Sequence, residues 1–142
     1  MRKLATLIGI VMLMLLVALP LTAFADTVTV MFGRESNGDN ASTHQLEPHN
    51  VFISVDDTVT FDMQGPHRVV VYKLGITPDE VTLVNGLVDN AADAGNTIIQ
   101  QLPPTINTDT ALTFTDAGRY LVICNVGTHF SADGMFGWVF VE

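Results

Sequence analysis

From residue 26 onward the chain reads as short apolar and β-branched runs separated by turn residues. Thr27–Phe32 alternates β-branched and apolar positions. Val51–Val55 is a second run, stopped by Asp56-Asp57. Thr58–Met63 puts Val59, Phe61 and Met63 on one face. Further runs cover His67–Tyr72, Val81–Val84, Thr97–Gln100, Ala111–Thr115, Arg119–Cys124 and Phe136–Val141. Asn37-Gly38, Gly65-Pro66, Asn85-Gly86, Pro103-Pro104, Asp116-Ala-Gly118 and Asp133-Gly134 punctuate them. Many short strands at this spacing predict an all-β sandwich or barrel of about seven or eight strands. Two stretches break the pattern. Gly33–Pro48 is polar and turn-rich, which predicts a long loop. Leu87–Gly95 fits a short helical turn ended by Gly95. There is no internal repeat and no linker, so residues 26–142 are expected to form one domain. Gly118-Arg119-Tyr120 opens a late strand as a tyrosine corner does, with the phenol bonded back to upstream backbone.

The first 25 residues differ. Arg2 and Lys3 precede an apolar run from Leu4 to Leu21, and Ala23-Phe24-Ala25 follows. A basic start, an apolar centre and a small-x-small end predict a cleaved export signal. An uncleaved N-terminal anchor is the rival reading, disfavoured by Thr6, Gly9 and Pro20 inside the run. The whole chain has 15 acidic and 6 basic residues, a net charge of −9. Without residues 1–25 all the acids remain against four bases, and the net charge is −11. Such a charge excludes nucleic acid and anionic membrane surfaces as natural partners. The single cysteine excludes an internal disulfide, a CxxC redox pair and a cysteine-only zinc site.

That cysteine lies in Cys124-Asn-Val-Gly-Thr-His129-Phe-Ser-Ala-Asp-Gly-Met135. A strand delivers the thiol, a loop carries the imidazole, and the next strand begins at the thioether. An unpaired thiol oxidises outside the cell unless something holds it, and a metal would do so as thiolate. One thiolate, imidazoles and a weak thioether suit copper better than zinc, which prefers more thiolates or His with carboxylate and water. A trigonal set needs a second imidazole. His67 is the best candidate, because it follows Gly65-Pro66 and opens a valine run at a strand mouth. Taken singly, Cys124 and Met135 also fit core packing, and His67 fits a strand-end residue bonded to backbone. His44 and His49 flank Pro48 in a polar stretch and read as a solvated surface pair. Asn40-Ala-Ser42 matches a glycosylation triplet, a pattern common by chance.

Taken in order, these segments resemble the cupredoxins, the small blue copper family that includes plastocyanin, azurin and rusticyanin. Val51–Phe61 resembles the family's second and third strands. Gly65-Pro66-His67 resembles the segment carrying the first His ligand. Gly118-Arg-Tyr-Leu-Val-Ile-Cys124 resembles the G-x-Y-x-x-x-C approach, and Gly134-Met-Phe-Gly-Trp-Val-Phe-Val141 the closing strand. The resemblance implies a Greek-key sandwich binding one copper ion per chain, with His67, Cys124 and His129 as equatorial ligands and Met135 as the axial one. The chain departs from the pattern in three places. Five residues separate His129 from Met135, one more than in many members. Arg68 stands where Asn is frequent, and Asp56 where the turn often has Gly.

The expected function is that of an exported, periplasmic or extracellular one-electron carrier. Its partners would be redox proteins (a cytochrome, an oxidase or another donor or acceptor) docking transiently near His129, with Val126, Phe130 and Phe136 as apolar neighbours that shield the metal and form the docking face. A monomer is expected. A trigonal site with no firmly open position argues against an enzyme. A copper-delivery protein and a metal-free binding module are the alternatives.

Overall fold

The computed structural model describes residues 25–35, 42–100, 105–106 and 108–142. The expected export segment lies outside them up to Phe24, as do Asn37-Gly38, Asn40 and the Pro103-Pro104 turn. Thirteen strands are present among the described residues. They are β1 (Thr27–Glu35), β2 (Ser42–Glu47), β3 (Asn50–Ile53), β4 (Thr58–Met63), β5 (Pro66–His67), β6 (Val69–Tyr72) and β7 (Leu83–Val84). There follow β8 (Leu87–Val88), β9 (Thr97–Gln100), β10 (Thr105–Ile106), β11 (Thr110–Thr113), β12 (Gly118–Cys124) and β13 (Phe136–Val141). A single α-helical turn, α1, spans Asn90–Asp93.

Two sheets hold the molecule together. The first has the order β11-β4-β1-β2 and the second β3-β13-β12-β6-β9. Strands β1 and β4 run parallel, as do β3 and β13; the other neighbours in these sheets run antiparallel. The inner faces meet in a core of Val30, Phe32, Val59, Phe61, Met63, Val69, Val71, Val122, Cys124, Met135 and Val139. The alternation in β4 is borne out, with Val59, Phe61 and Met63 all buried.

Unbroken apolar runs behave differently from alternating ones. All four residues of β6, and β12 from Tyr120 to Cys124, are buried. A strand covered on both faces reads as a continuous apolar run. The outer face carries a second core of Val70, Tyr72, Val81, Leu121, Ile123 and Phe130, with Val88, Phe136 and Trp138 packed on it. The segment from Ile76 through α1 helps to cover that face. It is fastened by Asp93, a buried carboxylate that accepts hydrogen bonds from the Tyr72 hydroxyl (2.7 Å) and the Thr82 N–H (3.1 Å).

The tyrosine corner is present: the Tyr120 hydroxyl donates to the Asp116 carbonyl at 2.8 Å. Asp56 has φ 72°, so it occupies the left-handed turn position where the family resemblance leads one to expect Gly.

The expected Gly33–Pro48 loop is corrected by the structure. Residues 33–35 extend β1, and Ser42–Glu47 form an edge strand antiparallel to it. An edge strand needs few apolar positions, and Leu46 is the buried apolar side chain of β2. The pairing is broken once. Phe32 faces Leu46 and Arg34 faces Thr43, so Gly33 alone opposes both His44 and Gln45. This is a β-bulge, a device that re-aims a side chain.

Candidate metal centre

Three elements deliver the candidate donors to one end of the sandwich. β5 ends at His67, β12 ends at Cys124, and the connection to β13 carries His129 and Met135. The His67 and His129 Nδ1 atoms each lie 3.5 Å from the Cys124 Sγ. The three donor atoms are all within 4.8 Å of one another. His67, Cys124 and Met135 are fully buried, and His129 is half-buried.

Main-chain bonds fix the spacing. The Cys124 N–H donates to the Met135 carbonyl (3.0 Å), and the Met135 N–H to the His129 carbonyl (2.8 Å). The Asn125 N–H donates to the Arg68 carbonyl (3.1 Å), tying the thiol loop to the residue after His67. The Asn125 side-chain amide also donates to the Asn90 side-chain oxygen. The tether that an Asn at position 68 would supply is therefore made by other means. The Arg68 Nε is buried without a hydrogen bond, and desolvation lowers that guanidinium's pKa.

His67 is backed by Gly33. A methyl group on Gly33 would stand 2.2 Å from the His67 Nε2 and 2.7 Å from the Gln64 carbonyl oxygen, and Gly33 has φ +80°. Only glycine fits there, because a side chain would meet both a backbone penalty and the imidazole. The bulge thus opens the space into which His67 packs. Nothing local in the sequence signalled this role for Gly33.

The donor set fits a soft ion. Donors about 2.0–2.3 Å from one metal, spread in a plane, stand roughly 3.6 Å apart, close to the observed 3.5 Å. Without an ion, one thiol can give only one S–H···N bond, so the second imidazole must itself donate to sulfur. Burial pushes the Cys124 thiol pKa up, against smaller lowering contributions from the Arg68 and Val126 main chain and the Arg68 charge. A cation held by the thiolate is the natural way to offset that desolvation. Burial, with His129 and His44 as further causes, brings His67 down to about 4, and burial also lowers His129. Both imidazoles therefore offer neutral lone pairs at neutral pH.

The remaining sequence candidates separate. His49 is exposed and lies 5.4 Å from the Phe136 ring. His44 is not its solvated companion: its ring stacks on His129 at 3.6 Å between centroids. Of the three expected apolar neighbours, Phe130 is buried in the outer core, while Val126 is partly buried against the inner one. Asp133 joins the site through a 2.6 Å hydrogen bond with the His44 Nδ1. Those two are 89 positions apart in the sequence, so no local pattern could have paired them.

No family profile matches the chain, and no curated protein matches it. Solved structures do. Dithionite-reduced auracyanin from the photosynthetic bacterium Roseiflexus castenholzii superposes with a TM-score of 0.53 at 21% identity, covering 84% of this chain and 99% of that one. A mutant plastocyanin of fern gives 0.52 at 15% identity, covering 81% and 100%. The chain has a cupredoxin fold.

Burial of His67 predicts an acid-labile metal-free protein. Its pKa is about 4 when folded and 6.5 when exposed, so between those values the unfolded chain binds more protons. The stability contribution is complete above pH 6.5 and is lost as pH falls toward 4. Urea midpoints of the metal-free protein should fall across that window, and less steeply for His67→Leu. Equal slopes would contradict the burial argument.

Proposed function

We propose that the chain is a mononuclear type 1 copper protein that carries single electrons between redox partners. The observation behind this reading is the convergence of the His67 and His129 imidazoles on the buried Cys124 thiol, each at 3.5 Å. His67, Cys124 and His129 would hold the ion, with Met135 as the weak axial donor. Bound copper would supply a reversible Cu(II)/Cu(I) couple. The chain's part is to keep the donors still, exclude water from His67 and Cys124, and leave one edge of His129 near the surface as the electron exit.

Burial also favours a carrier over a delivery protein. Two of the three equatorial donors have no exposed surface, whereas metal hand-over needs ligands an acceptor can reach. The trigonal set leaves no firm open position for a substrate, which supports a carrier and not an enzyme. Export is part of the reading, carried by the sequence of residues 1–25. Among the described residues no helix is long and apolar enough to cross a membrane.

The proposed docking face lies beside the His129 loop. The β7–β8 hairpin exposes Leu83 (44%), Val84 (52%) and Leu87 (48%). Its turn is fixed to the loop by the Ser131 hydroxyl, which donates to the Gly86 carbonyl at 2.5 Å. Asp79, Glu80 and Asp89 flank the hairpin in sequence, and Asp133 follows Ser131. Lys73 and Arg119 lie at the far ends of β6 and β12 from Cys124. An apolar spur with acidic flanks fits a partner whose apolar patch has a basic rim. A monomeric carrier meeting its partner through such a small transient contact completes the proposal.

Copper(II)-loaded protein should show an intense thiolate-to-copper absorption, bleached reversibly by mild reductant and absent from Cys124→Ser. A colourless complex, as zinc would give, or copper binding unaffected by Cys124→Ser, would overturn the copper reading. With a basic cytochrome c as probe, Leu87→Ser should slow electron exchange about fivefold or more while leaving the absorption unchanged. An unchanged rate would remove the hairpin from the docking face.

A further inference from the structure

His44 is an ionisable side chain that the metal reading does not use, yet it is built into the site. Its ring lies face to face with that of His129, with centroids 3.6 Å apart and an interplanar angle of 21°. It stands 6.0 Å from His67 at a steep angle, so the close contact is with one candidate ligand only. His44 is held from both sides of the stack. It sits in the β-bulge of β2 opposite Gly33. Asp133, in the loop after His129, bonds its Nδ1 at 2.6 Å. An edge strand of one sheet is thereby fastened to the ligand loop of the other.

The three donors of His44, His129 and Asp133 also lie within 4.8 Å of one another, which raises a second metal site. The ring geometry argues against it. An imidazole binds a metal in its own plane, along the nitrogen lone pair. Near-parallel rings 3.6 Å apart would put a shared ion well out of both planes. The arrangement is that of a stacked pair, not a chelate.

We propose that His44 is a positioning residue for His129: its ring covers one face of the half-buried imidazole and fixes the orientation in which the His129 Nδ1 faces the Cys124 sulfur. The need for such positioning follows from the loop. His67 is wedged by Gly33 and fully buried, whereas His129 is half-buried in a turn-rich connection, where its ring needs a wall. A stacked aromatic pair supplies one. The assignment of His129 as a ligand rests on the copper reading, but the stack itself does not.

Three proteins test this: wild type, His44→Ala, which removes the ring, and His44→Phe, which keeps a ring and loses the bond to Asp133. In the metal-free proteins, NMR should show close contacts between the position-44 and His129 ring protons in wild type and His44→Phe. In His44→Ala, the His129 ring should average over several rotamers. In Cu(I) competition against a chromophoric chelator, His44→Ala should bind roughly two- to tenfold more weakly, the range expected for one aromatic pair. His44→Phe should stay within about twofold of wild type, as ring-based positioning requires. Equal affinity and equal His129 order in wild type and His44→Ala would overturn the proposal. So would His44→Phe behaving like His44→Ala, which would assign the effect to the polar bond. If wild type bound no copper, the copper reading would fail, and the metal-free NMR comparison would still decide whether His44 orders His129.

Discussion

A thiol buried between two imidazoles is the constraint on which the rest of this structure turns. Cys124 and His129 are neighbours in the sequence, five residues apart, but His67 comes from a separate strand 57 residues from the thiol. Burial opposes ionisation of the sulfur and protonation of both imidazoles. The donors therefore stay neutral, dry and close, a state that only a rigid frame can impose before a metal arrives. The frame is the double-sided burial of β6 and β12. With Val69–Tyr72 and Tyr120–Cys124 packed on both faces, the ends of these strands have little freedom, and the site sits on those ends.

The two sheets contribute unequally. The second sheet supplies Cys124 directly and leads to His67, His129 and Met135 at its edge and loop. None of the candidate donors comes from the first, but its β1–β2 bulge acts on two of them. Gly33 leaves room behind His67, and His44 faces His129. One irregular step in a ladder thus shapes both imidazoles. The outer segment closes the remaining side through Asn90 and Gly86, which contact Asn125 and Ser131 of the ligand loop. That contact also brings the exposed leucines of the hairpin next to the proposed electron exit.

Much of this was legible in the residues, for physical reasons. Strands with strict alternation, such as Thr58–Met63, announce one buried face. The unbroken runs at Val69–Tyr72 and Leu121–Cys124 announce two. The Cys124, His129 and Met135 spacing is local, so it survives in one dimension, and His67 is marked by the turn before it. What stayed hidden is non-local or made of backbone. Ser42–Glu47 looks like loop because an edge strand tolerates polar residues. Gly33 matters through space it leaves empty. Phe130 reads as a surface neighbour of the metal until the outer core is seen to enclose it. His44 pairs with His129 and Asp133 across more than 80 residues, beyond any periodicity.

The central claim is that the fold positions His67, Cys124 and His129 for a soft metal ion before that ion binds. Crystal structures of the metal-free and copper-loaded protein at high resolution test it most directly. The account predicts one copper ion bound by the His67 Nδ1, Cys124 Sγ and His129 Nδ1, with the main chain of these residues moving by less than about 0.5 Å on loading. Copper bound elsewhere, or a ligand loop at residues 125–135 that refolds when copper enters, would contradict it.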